Sequence, residues 1–139
     1  MSKKILLRIA AIVVFIHLLG HTIGHLVWDK PKDPKMNEVV MAMKGYSANF
    51  MGAVRSMADY YNGYSVIMFG VYVMTIVILW ILSGAPREYE KLVNRLVLPI
   101  GVVYMFFAGT EFIFFFPFAA TISCLAGLLM LLSVRAAVK

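Results

Sequence analysis

The chain has 139 residues, 62% of them apolar and only 14% charged, with a mean hydropathy of +0.85. Soluble domains average about 45–50% apolar and about 25% charged, so these figures exclude a water-soluble fold, and high hydropathy with low charge excludes a disordered chain. The net charge of +6 sits mostly in short segments flanking apolar runs, where it sets topology and meets lipid head groups, so nucleic acid is not an expected partner.

The first apolar run, residues 5–28, is long enough as a helix to cross about 30 Å of hydrocarbon. It ends His-Thr-Ile-Gly-His-Leu-Val-Trp, with no small-residue cleavage site, and therefore reads as an uncleaved span. Residues 29–63 form the one sizeable connection. It opens with the proline-stiffened Asp29-Lys30-Pro31-Lys32-Asp33-Pro34-Lys35. Met36, Val39, Val40 and Met43 then recur at the spacing of one helical face, and Phe50, Val54, Met57 and Tyr61 repeat it. Two short amphipathic helices, Met36–Lys44 and Phe50–Tyr61, are expected to cover one end of the bundle. Arg55 and Asp59, four apart, are expected to pair.

The second span covers residues 64–82. From Leu96 to Val134 the only charged residue is Glu111. That run would make a helix of roughly 58 Å, about twice what one crossing needs. Pro117 suits the first turn of a new helix because its missing N–H is an orphan there. The run thus divides into spans at 96–115 and 117–135. The expected fold is all-α, a four-helix transmembrane bundle in a single domain, with an amphipathic outer loop between helices 1 and 2.

Lysine and arginine set the direction. Lys3, Lys4, Arg8, Arg87, Lys91, Arg95, Arg135 and Lys139 share one side, against Lys30, Lys32, Lys35, Lys44 and Arg55 on the other. The larger group places both termini in the cytoplasm. Trp28, Tyr60, Tyr61 and Tyr64 would then line the outer interface. The single cysteine, Cys124, lies in an apolar run and reads as a small apolar filler.

The chemistry-bearing residues centre on the first span. His17, His21 and His25 are four apart and fall at about 0°, 40° and 80° on a helical wheel, with Gly20 and Gly24 beside them. A small-xxx-small glycine pair admits a close helix neighbour, so the histidines are expected to face protein rather than lipid. Ionisable groups at such depth carry a functional expectation. Measured from Trp28, His25, His21 and His17 lie about 5, 10 and 16 Å in, and Glu111 lies about 6 Å from the end of the third span. Equal depth makes His21, His25 and Glu111 a candidate set for a divalent metal, or for a hydrogen-bonded acid/base pair, with His17 below and Arg55 or Asp59 above. The competing reading is structural: histidines bonded to neighbouring helices and a glutamate wetted at a turn. Ten methionines raise copper weakly. Three histidines on one helix exclude an intrachain bis-histidine haem and leave one shared between protomers, or held by a single histidine, as the lesser cofactor reading. Phosphate-loop, H-E-x-x-H, G-x-S-x-G and C-x-x-C signatures are absent from the sequence.

Gly20-His21-Thr22-Ile23-Gly24-His25 in a first span, then Arg55-Ser56 and Asp59-Tyr60-Tyr61-Asn62-Gly63-Tyr64 entering a second, resembles a family of small bacterial four-helix integral membrane proteins. The resemblance covers roughly residues 17–70. It implies a bacterial inner-membrane location and brings no activity with it. Four spans with intramembrane histidine and glutamate also look loosely like the emopamil-binding/sterol-isomerase group, in architecture alone. The expected function is therefore an intramembrane His/Glu site taking a metal ion or a small amphipathic ligand. The alternatives are an accessory subunit docking on a membrane-protein partner through Gly20 and Gly24, and a small homo-oligomeric transporter.

Overall fold

The structure is a computed structural model that describes residues 1–136. The elements run α1 (Lys3–Val27), α2 (Pro34–Gly45), β1 (Ser47–Phe50), β2 (Ala53–Ser56), α3 (Met57–Ser83), a 3-10 turn (Arg87–Tyr89), α4 (Glu90–Phe114) and α5 (Pro117–Arg135). The fold is an all-α bundle in which α1, α3, α4 with its leading turn, and α5 are each long and apolar enough to cross a membrane. Large apolar side chains such as Ile12, Ile81, Val102 and Phe106 are exposed along these helices. Continuous apolar surface of this extent requires lipid around it, as in a multi-pass membrane protein.

The chain packs as two compact units, residues 1–18 with 72–139, and residues 19–71. In the first, α1 buries Leu6, Leu7, Ala10, Ala11, Val13, Val14 and His17, the stripe a 3.6-residue period presents to a neighbour. Small residues set the contact between α4 and α5. A methyl group on Gly127 would sit 2.9 Å from Met105 Sδ and 3.1 Å from the Gly101 carbonyl, and one on Gly101 would meet Leu131 and Met130 at 3.1–3.2 Å. The helices approach this closely because neither glycine carries a Cβ. Between them the chain reverses at Phe115 and Phe116, and Pro117 opens α5 at its first turn. At the other end Lys3 Nζ donates to Glu90 Oε1 at 2.6 Å and Asn94 Oδ1 at 2.9 Å, tying the start of α1 to the start of α4.

In the second unit the expected first amphipathic helix is α2. Asp33 caps it by accepting from the Lys35 amide at 2.8 Å, and Pro34 occupies the first turn. Lys44 in its last turn donates to Asp29 at 2.9 Å. This hydrogen bond holds the exposed Asp29 carboxyl below its ordinary value of 3.8. Trp28 stacks on Tyr61 with ring centroids 4.5 Å apart and donates from Nε1 to Asn62 Oδ1 at 2.9 Å.

The expected helix over Phe50–Tyr61 forms only from Met57 onward. Residues 47–56 make an antiparallel hairpin that pairs Phe50 with Ala53. Its two turn residues, Met51 (φ 52°) and Gly52 (φ 87°), are both left-handed, as a tight hairpin turn of the primed type demands. Asn49 Oδ1 accepts from the Gly52 amide at 3.1 Å and stabilises the reversal. The helix begins only at Met57 and runs unbroken through Tyr64 into the membrane-spanning stretch. The apolar spacing of Phe50 and Val54 arose from a strand and its turn rather than from a helical face.

Candidate functional site

Four of the six candidate polar residues fall into two clusters, one in each unit; the other two, Arg55 and Asp59, stand at the junction of β2 and α3. The first is built on His17, buried to 6% exposure on α1. Tyr72 Oη lies 3.2 Å from its Nε2 and Ser123 Oγ 3.3 Å from its Nδ1. Glu111 Oε1 is 3.5 Å from Nε2, and the two side chains are 8% and 13% exposed. The Tyr72 ring leans on the imidazole with centroids 4.7 Å apart. Tyr104, 1% exposed, lies within electrostatic reach of Glu111 and next to Thr75. The site thus draws His17 from α1, Tyr72 from α3, Tyr104 and Glu111 from α4, and Ser123 from α5.

The chemistry follows from the inventory of donors. A neutral imidazole has one N–H and one acceptor nitrogen, whereas an imidazolium donates from both. Ser123 at Nδ1 and Tyr72 at Nε2 each carry a hydroxyl that can donate or accept, so both forms of the ring find partners. Glu111 Oε1 faces the same nitrogen as Tyr72. Direct proton exchange between Nε2 and Oε1 requires the pair to close from 3.5 Å to about 3 Å. Two buried polar atoms here, Glu111 Oε2 and Tyr104 Oη, make no hydrogen bond of ordinary geometry. Buried polar groups are nearly always satisfied, and exceptions mark a site of strain, chemistry or a further bound molecule.

The second cluster joins the remaining histidines. His21 Nε2 lies 2.9 Å from the Ser65 backbone carbonyl and 3.1 Å from Ser65 Oγ, and His25 Nδ1 lies 2.9 Å from the same hydroxyl. Phe69, one turn along α3, meets both rings edge-on at 4.9 and 5.3 Å. A carbonyl only accepts, so the His21 proton sits on Nε2.

These geometries correct the expected metal set. Glu111 contacts His17 within the first unit, while His21 and His25 belong to the second. Among the described residues no three or more His, Cys, Asp or Glu side chains gather as metal ligands. Depth along the helices left the hydroxyl partners out of the reckoning. Inside a bundle a histidine takes whichever polar neighbour packing brings, and Ser65, Tyr72 and Ser123 were closer to hand. Their signal was present in the sequence as hydroxyl residues within apolar spans.

One further expectation is also revised. Arg55 and Asp59 form no ion pair. Asp59 Oδ2 accepts from the Ser56 amide at 2.8 Å and Ser56 Oγ at 2.9 Å, while Ser56 Oγ accepts from the Asp59 amide at 3.1 Å. This reciprocal cap begins α3. Arg55 donates to the Val54 carbonyl at 2.8 Å. Both side chains line a shallow hollow with Tyr60, Gly63, Tyr64 and Ile67. A methyl group on Gly24 would meet nothing within 4 Å and Gly20 is exposed, whereas Gly101 and Gly127 make a close approach between α4 and α5. Cys124 is a free, half-buried thiol.

No family model, curated protein or solved structure matches the chain, and the assignment of function rests on the geometry of the His17 cluster.

Proposed function

We propose that this chain is a small multi-pass membrane protein with an intramembrane acid/base site, in which His17 and Glu111 bind the polar head of a small amphipathic molecule. The observation that carries this reading is the pair of buried atoms, Glu111 Oε2 and Tyr104 Oη, that make no hydrogen bond of ordinary geometry, beside a His17–Glu111 contact of 3.5 Å. A ligand hydroxyl or amine between them would satisfy both, and His17 would take up or release the proton that this exchange moves. Tyr72 and Ser123 hold the imidazole in place through either protonation state.

The experiment is mass spectrometry of small molecules that copurify with the protein in mild detergent, compared with Glu111→Gln and Tyr104→Phe. A molecule held by the wild type and reduced at least tenfold in both variants is the expected result; retention unchanged in both would refute the site. The same preparation tests the accessory-subunit reading, which the open surface at Gly24 favours. A stoichiometric protein partner released by Gly24→Leu, with no small molecule bound, would replace the first reading.

The charge balance supports an orientation with both termini in the cytoplasm and α2 outside, and the resemblance over residues 17–70 supports a bacterial inner-membrane location. With Cys124 first replaced by serine, a Lys35→Cys variant should label from the outer face of intact cells. Labelling only after lysis would reverse the topology.

A further inference from the structure

The end of the bundle where α1 begins, α3 ends and α4 begins holds a cavity of about 230 Å³ lined by Lys3, Lys4, Ser83, Arg87 and Glu90 among others. Three cations face one carboxylate, which leaves two positive charges in excess. Lys3 is 5% exposed and spends two of its three N–H donors on Glu90 and Asn94. Its charge is therefore fixed at the base of the cavity rather than swinging in solvent. Lys4 and Arg87 are exposed, and among the described residues neither makes an ion pair. Arg8 adds positive potential nearby: its Nε donates to Ser83 Oγ at 3.4 Å and its guanidinium lies 5.1 Å from the Trp80 ring centroid.

From this we infer that the cavity binds the phosphate of an anionic glycerophospholipid, with Lys4 and Arg87 closing on the phosphate oxygens above the buried Lys3. A lipid is favoured over a free anion by the surroundings. Trp80 and Tyr89, 52% and 51% exposed, are the amphipathic rings that settle at the head-group level of a bilayer. Ile5, Ile81 and Leu92 are exposed on the same helices and offer apolar surface for acyl chains. Basic pockets between spans are a recurrent head-group site. The inference rests on the membrane location of the chain and is independent of the His17 site.

The test titrates the purified protein in neutral detergent with phosphatidylglycerol, reading bound lipid by native mass spectrometry. The wild type is compared with Lys4→Ala/Arg87→Ala and with Lys91→Ala/Arg95→Ala, which removes equal charge from the start of α4 but outside the cavity. Each cation near a head group contributes about fivefold in affinity, so the cavity variant should bind about 25-fold more weakly. The Lys91/Arg95 variant should stay within about threefold of wild type, and phosphatidylcholine should bind no better to wild type than to the cavity variant. Equal losses in both double variants would show a diffuse surface potential and overturn the site. So would competition by millimolar inorganic phosphate to the full extent of the lipid, which would make the ligand a free anion.

Discussion

Replacing His17 by leucine should destabilise the bundle by about 2 kcal/mol, as measured by steric trapping or detergent unfolding. Interhelical polar contacts in membranes average about 0.6 kcal/mol and reach about 1.7, because the separated helices also lack water and find other partners. His17 touches Tyr72, Ser123 and Glu111, so three such contacts are lost together. The figures of about 3–5 kcal/mol for breaking a buried ion pair belong to soluble proteins, whose unfolded state is hydrated, and they overstate the loss here. The double variant His17→Leu/Glu111→Leu should cost less than the sum of the two single changes, by about 1 kcal/mol. Each single change strands the other partner in a low-dielectric core, and the double change strands neither. Strict additivity would show that the two side chains do not interact, and would remove the basis of the acid/base site.

A larger effect is expected at Gly127. A methyl group there already meets the Gly101 backbone carbonyl at 3.1 Å and Met105 Sδ at 2.9 Å. The methionine end can swing away, but the carbonyl belongs to a helix and moves only with it. Gly127→Ala should cost about 1 kcal/mol and Gly127→Leu about 3, the upper range for overpacking a tight contact. Gly63→Ala on α3 is the control, since nothing lies within 4 Å of the new methyl. There the gain in helix propensity, about 0.8 kcal/mol, has no clash to offset it, and stability should rise. If Gly127→Leu unfolds at the same detergent fraction as wild type, α4 and α5 are not held by the close approach of their small residues.

The sequence by itself determined the secondary architecture of the spans. Apolar runs of bilayer length leave helices as the economical way to satisfy every backbone group in hydrocarbon. Glu111 stood alone among charges between Leu96 and Val134, and Pro117 placed the break. Asp33-Pro34 marked the start of α2 by a cap and a fixed φ, both local properties. The hairpin at 47–56 was less legible, since Phe50, Val54 and Met57 satisfy a helical spacing by chance. The deciding residues were Asn49 and Gly52, which supply an Asx contact and a left-handed φ. The partners of the polar residues were decided only by the tertiary structure. Wheel angles place His17, His21 and His25 on adjoining directions, but say nothing about the register of α3, α4 and α5 against α1. That register is set by where side chains interlock between helices, and it put Glu111 and Tyr72 at His17 and Ser65 at His21 and His25. Spacing along one helix is a local quantity, whereas a pairing between helices depends on packing summed over all of them.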